Sequence, residues 1–277
     1  MISPRPRIGE GAPAPDRARL AAEGRMADLL VLSLLLLGTV AACTQNGPPA
    51  DPRGAGGSLP RSTERAAERE RMVAEQIEAR GVHDPLVLAA LRAVPRHWFV
   101  PDGYQSEAYA DGPLPIGSGQ TISQPFIVAR MTEALELRPG ERVLDIGTGS
   151  GYQAAVLAEI TPHVSSIEIV PELADAARAR LAARGYGSIE VRQGDGWLGW
   201  PERAPFDAIL LAAAPETVPP ALLAQLAPGG RLCLPVGGRD ESQELQVFTR
   251  QPDGNFASRR LEIVRFVPMT GQAEKRN

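Results

Sequence analysis

The chain has 277 residues, 43% of them hydrophobic, 22% charged and 5% aromatic, with two cysteines, three histidines and a formal net charge of -4. That length supports one good-sized core or two small ones. Cys43 and Cys233 cannot build a disulfide framework, and the scattered His83, His97 and His163 do not make a typical zinc site, so no metal is expected. The mild acidity argues against a grip on nucleic acid, which needs a concentrated basic face.

From the amino end, Leu29 to Val40 reads LLVLSLLLLGTV, an apolar run too short to span a bilayer as a mature helix. Arg17, Arg19 and Arg25 precede it and Val40-Ala41-Ala42-Cys43 follows it, a pattern that suits an export signal. Its ending resembles a bacterial lipobox, which makes Cys43 the lipidation site. The other reading is a buried core helix with an incidental cysteine. Residues 44–62, TQNGPPADPRGAGGSLPRS, are too rich in Pro and Gly for a core and read as a flexible tether. The expected organisation is a leader over 1–42, a tether over 43–62 and one domain over 63–277.

The domain opens with a charged helix from Ser62 through Ile77, stopped at Gly81, and a second helix from Asp84-Pro85 to Val94. Leu86, Leu88, Leu91 and Val94 give the second helix a buried side. Residues 95–125 read as loops, and a third helix is expected over Ile127–Leu137. The apolar runs RVLDIG, VSSIEI, IEVRQ, FDAILLA and GRLCLPV then alternate with helical segments at 151–160, 171–184 and 219–226. Such alternation marks βαβ units and a buried parallel sheet. Glu244–Thr249 and Leu261–Pro268 flank Pro252-Asp253-Gly254 and read as an antiparallel hairpin at the sheet edge.

The sharpest local signal is VLDIGTGSGY, Val143 to Tyr152, where the first strand gives way to a helix. Glycines there let the backbone turn tightly and approach a ligand, and the helix start turns free N–H groups towards it. A nucleotide-like cofactor is implied, although glycines at such a turn also serve geometry alone. Glu168 ends the second strand near the roughly 20-residue spacing expected of a ribose-binding carboxylate. Gly194-Asp195-Gly196 puts another acid at the end of the third strand, where Asp195 has the reach to accept from an adenine amino group. Trp197 and Trp200 either wall that pocket or pack on the sheet. Cys233 reads as a small core residue, and His97 and His163 as structural. A nicotinamide-dependent oxidoreductase is disfavoured by GxGxG spacing and by the lack of a Tyr-x-x-x-Lys pair, since Lys275 in the tail is the only lysine.

GxGxG with Asp145 just inside the first strand resembles the S-adenosylmethionine-dependent methyltransferases. PRHWFVP (95–101), LPIGSGQTISQP (114–125), VLDIGTGSGY, GDGWLGWPERAPFDAILLAAAP and PGGRLCLPVGG narrow this, because together they resemble the protein-L-isoaspartate O-methyltransferases from about Met72 to Met269. The resemblance implies a Rossmann-like α/β fold with a doubly wound, mostly parallel seven-stranded sheet, N-terminal helices and the C-terminal hairpin. It implies transfer of a methyl group from S-adenosylmethionine to the α-carboxylate of L-isoaspartyl residues in damaged proteins and peptides. The ester then closes to a succinimide that reopens in part to aspartate.

Carried onto this chain, the resemblance makes Ser123 the active-site hydroxyl, although from the residues alone it reads as a loop or N-cap residue. Asp145, Gly147, Thr148, Gly149, Ser150, Gly151, Glu168, Ile169, Asp195 and Gly196 become the cofactor contacts. Ile122, Ser123, Ala213, Ala214, Pro215 and Val267 become the substrate contacts, with Ala212, Pro268 and Met269 beside them, and the Gly-rich segment Pro115–Gly119 is a lid. The chain is expected to act as a monomer in the cytoplasm, where the methyl donor is made. The alternative is an exported lipoprotein that meets the membrane only through a lipid on Cys43 and faces the periplasm.

Overall fold

A computed structural model of the protein describes residues 61–239 and 241–276. The expected leader (1–42), Cys43 and the tether as far as residue 60 lie outside the described residues. Arg61 already belongs to the folded part: its N–H donates to the Ala93 carbonyl at 3.0 Å, its Nε to Glu159 at 2.6 Å, and its guanidinium lies over the Tyr186 ring. No described helix is long and apolar enough to cross a membrane.

The first helical stretch is α1 (Ala66–Arg71), which widens into a π-helical turn over Met72–Ile77 and tightens into a 3-10 turn over Glu78–Arg80. Gly81 ends it in the left-handed region, as its sequence position suggests. Helix α2 (Pro85–Ala93) starts where the Asp84 carboxylate accepts from the N–H groups of Leu86 and Val87, with Pro85 in the first turn where no N–H is needed. The buried Arg69 fastens these helices together by donating to the carbonyls of Ser62, Glu64 and Arg92.

Residues 95–125 are not all loop. They contain a small antiparallel hairpin, β1 (Leu114–Gly117) and β2 (Gln120–Ile122), with Leu114 opposite Ile122 and the turn at Ser118-Gly119. Strands this short carry too few residues for an alternation to show in sequence. Helix α3 (Pro125–Ala134) begins two residues before the expected start, because Pro125 takes the first helical position, and it stops short of the expected Leu137.

The main sheet holds β3 (Arg142–Ile146), β4 (His163–Glu168), β5 (Glu190–Gln193), β6 (Phe206–Leu211), β7 (Leu226–Val236), β8 (Gln243–Arg250) and β9 (Phe256–Val264). Their spatial order is β5-β4-β3-β6-β7-β8-β9. The pairs from β5 to β7 are parallel, and β7–β8 and β8–β9 are antiparallel, which is the mostly parallel seven-stranded sheet the sequence leads one to expect. Helices α4 (Tyr152–Ala158), α5 (Pro171–Ala183) and α6 (Pro220–Ala224) supply the crossovers.

Alternation along the strands sorts side chains onto two cores. Val143 of β3, Ala208 and Leu210 of β6 and Cys233 of β7 face the core shared with α2, α3 and α4. Leu144, Ile146, Ile209, Leu211, Leu232 and Leu234 face the other core, where Trp197 and Trp200 also pack. Strand β9 lies earlier in the chain than the expected Leu261–Pro268. After Val264 the backbone leaves the hairpin and returns to the sheet's carboxyl edge, where Ala214 N–H donates to Val267 O at 2.9 Å and Met269 N–H to Ala214 O at 2.8 Å. A 3-10 segment, Gly271–Arg276, follows.

Candidate active site

Strand order reverses at β3: the chain runs outward to β4 and β5 on one side, then to β6 and β7 on the other. Loops that leave the carboxyl ends of strands in opposite directions open a crevice at such a point. Here it is a cavity of about 1110 Å³ lined by the ends of β3, β4 and β6, by β2 and the two residues after it (Gln120–Gln124), and by Glu262–Thr270.

The turn after β3 is held from below. Gly147 and Thr148 N–H both donate to Ile167 O, at 2.8 and 3.2 Å. Gly149 N–H donates to Glu168 Oε2 at 2.7 Å, and Val170 N–H to the other oxygen at 3.0 Å. Glycine suits position 149: its φ is +52°, which L side chains rarely adopt, and a Cβ there would sit 3.2 Å from Ile116 Cδ1 of the hairpin above, so that side chain would have to give. At Gly196 a Cβ would come within 2.2 Å of Ile146 Cγ2, so no larger residue fits without displacing the end of β3.

Beneath the turn lies a buried polar chain. Thr148 Oγ1 and Ser166 Oγ are 2.6 Å apart, and Ser166 donates to Asp145 Oδ2 at 2.7 Å. Asp145 is fully buried and its Oδ1 has no partner. Burial pushes its pKa up to about 7, the nearby Glu168 charge adds to the rise, and the Ser166 hydrogen bond opposes it. Glu168, 4% exposed, stands beside it at the end of β4.

Of the residues singled out from sequence, Ile122, Ser123, Gly147, Thr148, Gly149, Ser150, Glu168, Ile169, Gly196, Ala213 and Val267 line this one cavity, as do Ala212, Pro268 and Met269. Asp145 and Gly151 lie outside the lining, Asp145 buried behind the turn and Gly151 at the N-cap of α4. Ala214 and Pro215 also lie outside it, and Ala214 instead bridges to Pro268. Asp195 faces a smaller cavity of about 520 Å³, and its carboxylate accepts from Trp197 N–H and Gln272 N–H, both at 2.9 Å. His97 is buried against the Tyr109 hydroxyl at 2.7 Å, and His163 is exposed at the start of β4. Neither lines the cavity, and no metal-holding cluster of His, Cys, Asp or Glu occurs among the described residues.

Sequence reasoning missed Tyr152 and Arg96. Tyr152 lines the cavity from the first turn of α4, and Arg96 is fully buried behind the Ser123 loop. Arg96 lies inside the PRHWFVP motif, but nothing in an arginine between Pro and His announces burial.

Residues 67–274 match the family described as Protein-L-isoaspartate(D-aspartate) O-methyltransferase (PCMT). The chain belongs to this family. Its relatives include a protein-L-isoaspartate O-methyltransferase 1 of Rhodopseudomonas palustris, 57% identical over 76% of this chain and 86% of the relative. Another, from Gloeobacter violaceus, is 57% identical over 72% of this chain and 97% of its own length. Among solved structures, a protein-L-isoaspartate O-methyltransferase superposes with a TM-score of 0.67 at 28% identity, covering 74% of this chain and 67% of its own. A Plasmodium falciparum protein described as a putative member, in complex with S-adenosyl-L-homocysteine, gives 0.63 at 25% identity, with coverage of 73% and 98%. Family membership makes the fold a Rossmann-like methyltransferase and the chain an S-adenosylmethionine-dependent enzyme.

The buried Asp145 sets a pH dependence. Its folded pKa is raised above the unfolded value, so its contribution to stability is full below about pH 4 and is lost as pH rises through about 7. Thermal unfolding of the ligand-free protein should therefore show Asp145→Asn gaining on the native chain between pH 5 and pH 8, by about 2 to 3 kcal/mol. A difference that does not change with pH contradicts the assignment.

Proposed function

We propose that the large cavity holds S-adenosylmethionine on the side of the glycine turn and the isoaspartyl residue on the side of Ser123. The chain carries out its family's reaction, methylation of the α-carboxylate of L-isoaspartyl residues in damaged proteins. The observation that carries the site reading is that Ser123 and the Gly147–Ser150 turn, on separate loops, line one cavity.

The residues present suit a cationic ligand. Glu168 lines the floor as a carboxylate, and Asp145, buried behind the turn, has an oxygen with no partner, so this side of the site is short of positive charge. A molecule bearing a sulfonium and an ammonium supplies it. We assign its contacts to Gly147, Thr148, Gly149, Ser150, Gly151 and Ile169 around the turn, with Asp145 behind them. Glu168 takes the ribose hydroxyls, and Asp195 with Gly196 the adenine end. When bound, S-adenosylmethionine supplies a methyl group made electrophilic by its positively charged sulfur.

What remains for the protein is alignment. The substrate carboxylate is already ionised at neutral pH, so no general base is needed. Ser123 donates its hydroxyl to one carboxylate oxygen and leaves the other free to react. Ile122, Ala213 and Val267 receive the flanking main chain, their small or apolar side chains leaving it room, and Ala214 and Pro215, outside the cavity lining, back that wall. The β1–β2 hairpin, resting on Gly149 through Ile116, covers the turn and keeps water from a reaction in which charge is neutralised. The ester carbonyl is electrophilic where the carboxylate was not, so the neighbouring peptide nitrogen attacks it, the C–OCH3 bond breaks, methanol leaves with the nitrogen's proton, and the succinimide closes without further help from the enzyme. The substrates are proteins and peptides met by a monomer.

Ser123→Ala should lower kcat on an isoaspartyl peptide about 100-fold, the usual scale for losing one positioned donor. The Kd for S-adenosylhomocysteine should stay within about twofold. Unchanged turnover, or a loss confined to that Kd, overturns the role. For location we propose the cytoplasm, because the methyl donor is made there. Intact mass of the protein from its native host should show no lipid on Cys43, and a lipid-modified Cys43 at the mature N-terminus contradicts this.

A further inference from the structure

Arg96 is fully buried, yet no acid pairs with it among the described residues. Its Nε donates to Ala108 O at 3.0 Å and its Nη2 to Ser123 O at 2.8 Å. Its guanidinium lies 4.9 Å from the centre of the Tyr152 ring, and its Nη1 has no partner. Burial pulls its pKa down only to about 10, so it remains a cation at neutral pH. An unpaired buried charge is costly, and a methionine of similar volume would pack without that cost. The position of this charge therefore calls for a reason beyond packing.

Its contacts supply one. The Ser123 carbonyl belongs to the peptide plane that joins Ser123 to Gln124, and both residues line the active-site cavity. In a trans amide the C=O and N–H point in opposite directions. Pinning the carbonyl inward on Arg96 therefore turns the Gln124 N–H away from the core, and that N–H has no acceptor among the described residues. Tyr152, under the same guanidinium, opens α4 straight after the glycine turn. One buried cation thus joins the loop that carries the Ser123 hydroxyl to the helix that carries the cofactor turn.

We propose that Arg96 is a positioning residue for methyl transfer: it fixes the Ser123–Gln124 peptide plane against α4, so that the Ser123 hydroxyl and the Gln124 N–H together grip the substrate carboxylate. The assignment rests on the reading of Ser123 given above. It predicts that Arg96 acts on turnover through the Ser123–Gln124 peptide and leaves cofactor affinity alone. A displacement of the gripped carboxylate by about 1 Å is enough for a loss on the order of 100-fold.

A double-mutant cycle on the full chain tests it, using Arg96→Lys, Ser123→Ala and the pair, assayed with an isoaspartyl peptide well below each variant's unfolding temperature. Lysine keeps the charge but cannot hold two carbonyls in one plane. Arg96→Lys alone should lower kcat 10- to 100-fold with the S-adenosylhomocysteine Kd within about threefold. On the Ser123→Ala background, where only the Gln124 N–H hold is left to lose, it should lower kcat further by clearly less than it does alone, about tenfold at most where the single change costs 100-fold. Tyr152→Leu, which removes the ring beneath the guanidinium and leaves both carbonyls in place, should show a smaller loss that also shrinks on that background. It serves as the second probe if Arg96→Lys does not fold. Losses that multiply in the double variant, or unchanged turnover in the single Arg96 or Tyr152 variant while Ser123→Ala is impaired, overturn the role of Arg96 alone. Native turnover in Ser123→Ala overturns the reading of Ser123 and this assignment with it.

Discussion

The reversal of strand order at β3 is the constraint from which the rest of the molecule follows. A parallel strand whose neighbours on its two sides are reached by crossovers in opposite directions leaves its carboxyl end uncovered. The chain must turn sharply there to enter α4, and Gly147, Gly149 and Gly151, all at positive φ, let it do so with Gly149 beneath the Ile116 side chain. The backbone N–H groups of that turn are then spent on Ile167 O and Glu168, which ties the turn to β4 and puts the Glu168 carboxylate at the floor of the cavity with Asp145 buried behind the turn. The electrostatic character of the site is thus a consequence of the fold.

The same crevice is completed from distant parts of the chain. The small β1–β2 hairpin and the Ser123 loop come from the region before the sheet, and Phe266–Met269 return from the edge hairpin to pair with Ala214. Each of these segments is held by backbone hydrogen bonds or by a buried arginine. Arg69 ties the first two helices, and Arg96 ties the Ser123 loop to α4. Planar guanidinium groups with several donors suit this task, since one side chain can satisfy carbonyls from separate segments.

Much of this was legible in the sequence. The alternation of β-branched or Leu-rich runs with helices of ten to fifteen residues led to the parallel sheet, and the glycine turn with Glu168 marked its working edge. Three features were not legible, each for a physical reason. The β1–β2 hairpin is too short to show a period. The last strand was expected about five residues late, because the apolar run Phe266–Met269 is apolar for the sake of the cavity wall and not of the ladder. Arg96 carries a charge that its position in sequence gives no cause to bury. Asp195 was read correctly as an acid at a strand end, but its hydrogen bonds to Trp197 and Gln272 join it to a segment far along the chain that no local pattern could reveal.

The central claim is that a cavity built at the β3 switch point aligns an isoaspartyl carboxylate with a methyl donor, and alignment is a matter of where the carboxylate sits on its backbone. The most direct measurement is methyl incorporation from labelled S-adenosylmethionine into two peptides of one sequence, one with an L-isoaspartyl residue and the other with ordinary L-aspartyl at that position. The account predicts base-labile label in the isoaspartyl peptide and none above background in its twin. Equal labelling of the two, or none in either, contradicts it.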